Sequence, residues 1–153
     1  SPMSAFQILQ GLETLPLRMP RHVATTRAVA AFLAKHPAAL RVHHPDLPTH
    51  PDHELAQRLY PAGASAILSF EIAGGREAGR KFIESLSLFS HLANIGDAKS
   101  LVIHPATTTH FRMDERALAK AGIGPGTVRL SIGLEHPDDL LEDLSRALRA
   151  SQK

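Results

Sequence analysis

Late in the chain the spacing of apolar residues changes period within a short distance. Val128, Leu130 and Ile132 alternate with Arg129 and Ser131, and Leu140, Leu144 and Leu148 then recur four apart. A period of two marks a strand with one buried face, and a period near 3.6 marks an amphipathic helix. A strand followed by such a helix must bury one element on the other, so the fold has to be layered. The helix is well punctuated: Pro137 stands at its first position, Asp138 and Asp139 in its first turn, and Arg146 and Arg149 near its end, where each charge opposes the helix dipole. The same alternation turns Arg129 to the side of the strand away from the apolar layer.

Further elements follow by the same reasoning. Ser1-Pro2 predicts a helix start, with Phe6, Leu9, Leu12 and Leu15 near helical spacing. Pro16 and Pro20 predict a kink or break around Leu17-Arg18-Met19, because an interior proline removes one bond and clashes with the preceding turn. A second helix is expected over Arg21 to Lys35, a short strand at Leu40 to His43, and a short helix from His50-Pro51 to about Tyr60. Ala66, Leu68, Phe70 and Ile72 predict a strand ended by Gly74-Gly75. Ala78, Phe82, Ile83 and Leu86 predict a helix from about Arg76 to Leu88. His91 to Ile95 is expected to be extended, Ser100 to Ile103 a strand, His104 to His110 turn-rich, and Asp114 to Ala121 a short helix closed by Gly122. The expected fold is α+β: a small, mostly antiparallel sheet covered by helices on one face. It is read as one domain over 1–153, a helical segment 1–36 leading into an α+β part 37–153.

At 153 residues and 43% hydrophobic content the chain can build a real core. Lys and Arg number 17 against 15 Asp and Glu, a net charge of +2 without any basic run, so neither nucleic acid nor a membrane surface is expected as a partner. There is no cysteine, which removes disulfides, thiolate nucleophiles and zinc-thiolate sites. No apolar stretch approaches the roughly 20 residues that span a bilayer. A cytoplasmic protein is the expectation.

Ten histidines invite a metal reading. His43, His44, His50 and His53 crowd one loop and helix start, but they adjoin proline-rich turns and form no His-Glu-x-x-His motif, so no metal is expected. His104 and His110 bracket a threonine run near Asp97 and Asp114; with no serine or cysteine nucleophile beside them they read as structural. Gly122-Ile123-Gly124-Pro125-Gly126 lacks the strand-to-helix placement of a phosphate loop and reads as a turn.

Three segments occur in an order that carries more: GLETLPLRM at 11–19, SHLANIGDAKSLVIHPATTTH at 90–110 and VRLSIGLEHPDDLLEDL at 128–144. Together they resemble the C-terminal domain of the Cys/Met-metabolism pyridoxal-phosphate (PLP) enzymes, of fold type I. Within that family, HPDHELA at 50–56 and FSHLANIGDAKSLVIHP at 89–105 are most similar to the O-acetylhomoserine sulfhydrylases; the lyase and cystathionine-forming branches usually have serine where Asn94 stands.

The resemblance implies a transferase reaction of amino-acid (methionine) biosynthesis, in which sulfide or a thiol replaces acetate at the γ-carbon of O-acetylhomoserine, with PLP as cofactor, in a homotetramer. It also implies an upstream PLP-binding domain, outside this chain, that carries the Schiff-base lysine. Lys35, Lys81, Lys99, Lys120 and Lys153 stand in no Ser-x-Thr-Lys context, so no cofactor is expected on this chain alone, no catalytic residue is assigned within it, and it is expected to be inactive by itself. Arg129, in VRLS, matches the family's substrate-carboxylate arginine; on residue chemistry alone it is an exposed strand arginine paired with a surface acid. Asn94 and Ile95 match the loop that approaches the same carboxylate, although an asparagine near Gly96 is also a common turn residue. Thr109 matches a position near the active site, although Thr107, Thr108 and Thr109 can equally satisfy backbone groups of the loop. Two other readings stay open: a cystathionine γ-synthase or γ-lyase type of enzyme, and a non-catalytic truncated module that binds a small carboxylate or a partner protein.

Overall fold

The computed structural model describes residues 1–153, the side chain of Glu115 excepted. Two helices open the chain. The hydroxyl of Ser1 caps α1 (Pro2–Glu13) by accepting from the Ser4 amide at 3.1 Å. α2 (Leu15–Leu33) begins after the single residue Thr14, six residues earlier than the expected start at Arg21. The break falls at Thr14 instead of between the prolines, and both prolines are helical. Pro16 sits in the first turn, where an N–H has no partner in any case, and Pro20 forfeits one helical bond. Arg18 secures the junction, donating to the Gly11 carbonyl at 2.7 Å and to the Thr14 hydroxyl at 3.1 Å. It thereby satisfies an orphan carbonyl at the end of α1.

The remaining elements are β1 (Ala39–His43), α3 (His53–Leu59), β2 (Ile67–Ile72), α4 (Gly75–Ser85), β3 (Ser90–His91), β4 (Leu101–Ile103), α5 (Glu115–Lys120), β5 (Thr127–Ser131) and α6 (Pro137–Ser151), with a short 3-10 turn at Pro105–Thr107. Where boundaries differ from expectation, a local bond explains the shift. α3 starts at His53 because His50 first closes a turn, its ring accepting from the Asp52 amide and its carbonyl from that of His53. α4 stops at Ser85 because the Ser87 and Leu88 amides bind the buried Asp143 carboxylate of α6 at 2.9–3.1 Å. Of the expected extended piece only Ser90–His91 pairs; beyond it Asn94 Oδ1 accepts from the Ile95 amide and Gly96 takes a φ of +76°, a turn that glycine adopts without strain.

The sheet runs β1-β2-β5-β4-β3, antiparallel throughout except for the β4–β3 edge. It is the small, mostly antiparallel sheet that was expected. Leu68, Phe70, Ile72, Val102, Val128 and Leu130 point to one side, where they meet Val29 and Leu33 of α2, Phe82 of α4, and Leu140, Leu144 and Leu148 of α6. Phe70 and Phe82 stack edge to face at 5.6 Å. Each such side chain removed from water contributes about 1.5–3 kcal/mol, which makes this interface the main stabilising layer.

The other side of the sheet is polar over its β1–β2–β5 portion. The register lines up His43, Ser69, Arg129 and Ile103 in one row and Arg41, Glu71 and Thr127 in the next. Ser131 departs from the expected alternation: it is buried with Ile67 and Leu101 as cross-strand partners, and its hydroxyl has no hydrogen-bond partner among the described residues.

Candidate functional site

β5 brings Arg129 to the middle of that polar face, half-buried, between Ser69 on β2 and Ile103 on β4. Its Nη2 donates to the backbone carbonyl of Asn94 at 3.2 Å. No carboxylate among the described residues lies within ion-pairing distance of it. The acid nearest in register, Glu71, is already committed: Oε1 accepts from the Gly126 amide at 2.8 Å and Oε2 from the Thr127 hydroxyl at 2.7 Å. A guanidinium offers five N–H donors in a fixed fork. With one of these held by a carbonyl, most of the fork remains available to a ligand.

A hollow of about 370 Å³ opens on the same face, lined in part by Arg41, His43, Ser69, Glu71 and Thr127. It begins beside Arg129, at its cross-strand partner Ser69, and encloses no part of Arg129 itself. The chain thus presents one wall with a cation on it.

Asn94 meets Arg129, but through its main chain; its side-chain oxygen is turned back onto the Ile95 amide at 2.8 Å. Ile95 is 69% exposed, an apolar side chain standing beside the guanidinium's anchor with nothing covering it. Thr109 is exposed, and its hydroxyl pairs with the neighbouring His110 ring at 2.8 Å, while Thr108 donates to the His104 carbonyl at 2.9 Å. The structure therefore brings Arg129 and the Asn94–Ile95 turn together and gives Thr109 no hydrogen bond to either.

Two acids that sequence reasoning left unassigned shape this site. Glu71 gathers the Gly124–Thr127 turn; a Cβ on Gly124 would come within 2.5 Å of its carboxylate, which is why that loop is glycine-rich. Glu135, just beyond β5, clasps Ser100, just before β4. Ser100 N donates to Oε1 at 2.7 Å and Ser100 Oγ to Oε2 at 2.8 Å, while Oγ accepts from the Gly133 amide at 2.8 Å. Glu71 lies within an expected strand and Glu135 within the segment 128–144, yet their partners are far away along the chain.

His44 and His53 are committed elsewhere. His44 is buried, with its Nδ1 accepting from the Asp46 amide at 3.2 Å and its Nε2 facing the Ser65 carbonyl at 3.3 Å; His53 Nδ1 faces the Pro45 carbonyl at 2.9 Å. No group of three or more potential metal ligands converges among the described residues. His43 is held below the ordinary histidine range, first by burial and then by the adjacent Arg41. No described helix is long and apolar enough to cross a membrane.

Known proteins resemble this chain in sequence and in fold. The family model "Cys/Met metabolism PLP-dependent enzyme" matches residues 1–149. O-acetyl-L-homoserine sulfhydrylase of Leptospira meyeri is 53% identical over 150 residues, 97% of this chain and 34% of that protein. A solved structure from Campylobacter jejuni, described as an O-acetylhomoserine (thiol)-lyase and containing N'-pyridoxyl-lysine-5'-monophosphate, superposes with a TM-score of 0.90 at 44% identity, over 97% of this chain and 35% of that one. Cystathionine gamma synthase from Xanthomonas oryzae pv. oryzae, solved in complex with cystathionine, superposes equally well at 0.90 with 42% identity, over 99% of this chain and 39% of that one. The chain spans about a third of the length of these relatives. With a family match from end to near end, and solved members that superpose on its sheet and helices, this chain belongs to the Cys/Met metabolism PLP-dependent enzymes.

Proposed function

We propose that the chain is the C-terminal part of an O-acetylhomoserine sulfhydrylase, and that Arg129 holds the α-carboxylate of the amino-acid substrate. The observation that carries this reading is a half-buried guanidinium on a polar sheet face, anchored by one carbonyl and facing no protein acid. A carboxylate is the ligand such a fork binds best, through two parallel charge-assisted bonds. The Asn94 carbonyl takes one donor and so limits the rotation of the fork, and Ile95 lies beside it as an apolar surface against the substrate's carbon chain. Thr109 is kept as a more distant contributor to the same region.

The cofactor is proposed to lie outside this chain. An amine that holds an aldehyde needs a dry pocket that keeps it neutral at working pH, and Lys35, Lys99, Lys120 and Lys153 are exposed while Lys81 is only half-buried, on the outer helical layer. The residues present do not fit the group. An upstream PLP-binding domain is proposed to supply the lysine and to close the site over the polar face of the sheet; the relatives' length beyond the matched third leaves room for one. By this reading the chain alone is inactive, the helical segment 1–36 joins the two domains, the intact enzyme is the homotetramer implied by the family, and it works in the cytoplasm.

The branch is testable with purified full-length protein. Homocysteine formed from O-acetyl-L-homoserine and sulfide, in preference to cystathionine from the same donor and cysteine, is the expected result. Cystathionine formation or methionine cleavage as the dominant activity would move the chain to the synthase or lyase branch.

A further inference from the structure

The carbonyl that holds Arg129 belongs to a segment with no regular structure, 92–100, and a turn of that kind does not hold its own position. Its internal bonds are short-range: Asn94 Oδ1 to the Ile95 amide, and Asp97 Oδ1 accepting from the Lys99 amide at 3.0 Å. What ties it to the sheet is Ser100. This residue is wholly buried, its carbonyl accepts from the Ser90 amide at 2.9 Å, and both its amide and its hydroxyl donate to Glu135. The adjoining Leu134 amide adds a bond to the Ala98 carbonyl at 2.8 Å. The fit is close: a Cβ on Gly133 would lie 2.4 Å from Glu135 Oε2 and 2.5 Å from both the Ala98 carbonyl and the Ser100 amide. One carboxylate thus fastens the exit of β5, the strand that carries Arg129, to the end of the segment that carries Asn94.

We infer that Glu135 is a positioning residue: by clasping Ser100 it sets where the Asn94 carbonyl stands relative to Arg129, and so aims the guanidinium at the substrate. This rests on the reading of Arg129 as the carboxylate ligand. A carboxylate suits the task because it is all acceptor and meets two donors from one residue. Glutamine would keep one acceptor and turn an NH2 group against the other donor, loosening the clasp without changing its size.

The test is a double-mutant cycle in the full-length enzyme. Glu135→Gln alone is expected to raise KM for O-acetyl-L-homoserine on the order of tenfold, with kcat falling less, since small misplacements of a binding group cost one to two decades. In an Arg129→Ala background the same change is expected to add nothing, because there is no longer a guanidinium to aim. Ser100→Ala, which removes the hydroxyl and leaves Glu135 in place, serves as the second variant if Glu135→Gln folds poorly, and the same pattern is expected of it. An unchanged KM in Glu135→Gln or Ser100→Ala, or an equal rise with and without Arg129, would overturn the inference while leaving Arg129 as a ligand. If Arg129→Ala itself left KM unchanged, both the ligand reading and the inference would fall.

Discussion

His104 is wholly buried between the turn after β4 and the glycine-rich loop before β5. Its Nε2 faces the Pro125 carbonyl at 2.8 Å, and since a carbonyl only accepts, that nitrogen carries the hydrogen. Nδ1 lies 2.9 Å from the Thr107 hydroxyl, and the ring fits so closely against Gly79 that a Cβ there would come within 2.6 Å. A neutral ring is bonded on both nitrogens; a protonated one would be a buried cation facing a hydroxyl. Burial is accordingly the largest influence on His104 and on His44, and it lowers both below the ordinary value of 6.5. The folded state then binds these protons less readily than the unfolded chain. The stability they contribute is complete above pH 6.5 and is lost as pH falls through their lowered folded values. Urea unfolding at a series of pH values should show a flat stability from pH 8 to 7 and a decline below 6.5. His104→Gln should weaken that decline, and an unchanged slope in this variant would remove His104 as its source.

Among the elements, α1 stands apart. It buries none of its residues, and Phe6, at 57% exposed, is typical of a helix that carries Met3, Ile8, Leu9 and Leu12 and no charge before Glu13. A helix apolar on most sides is built to be covered. Under the proposed reading it is a docking face for the upstream domain; in the chain by itself the surface is open. Removing residues 1–13 should therefore leave the far-UV circular dichroism of the rest and its unfolding midpoint nearly unchanged, while concentration-dependent association in sedimentation falls. Loss of a cooperative transition would show that α1 belongs to the core. β2, β5 and α6 were legible in the sequence because each is half-buried, and half-burial writes a period into apolar residues such as Leu68, Phe70 and Ile72. The α1–α2 junction was not, because whether Pro16 breaks a helix or opens one depends on where the helix begins, and that is settled by Arg18 reaching back to Gly11. The early end of α4 was hidden for the same reason: its stop signal, Asp143, lies on another helix.

At the scale of the whole molecule, one sheet separates two tasks. Its apolar face, sealed by α2, α4 and α6, stabilises the fold, and its polar face presents Arg129 from a strand held on both sides by neighbours. Alternation along β5 already placed Arg129 opposite the core, and resemblance to the family suggested its ligand. The absence of a carboxylate partner, which distinguishes a binding arginine from a surface ion pair, became visible only when the fold showed Glu71 occupied by Gly126 and Thr127. The Glu135–Ser100 clasp was out of reach because it joins residues 35 apart in sequence. The central claim is that this guanidinium binds the substrate's carboxylate, and the direct measurement is the steady-state kinetics of Arg129→Ala in the full-length enzyme with O-acetyl-L-homoserine. Leaving a bound carboxylate without its partner costs about 2–5 kcal/mol, so KM should rise on the order of thirtyfold or more. A KM within twofold of the parent enzyme would contradict the account.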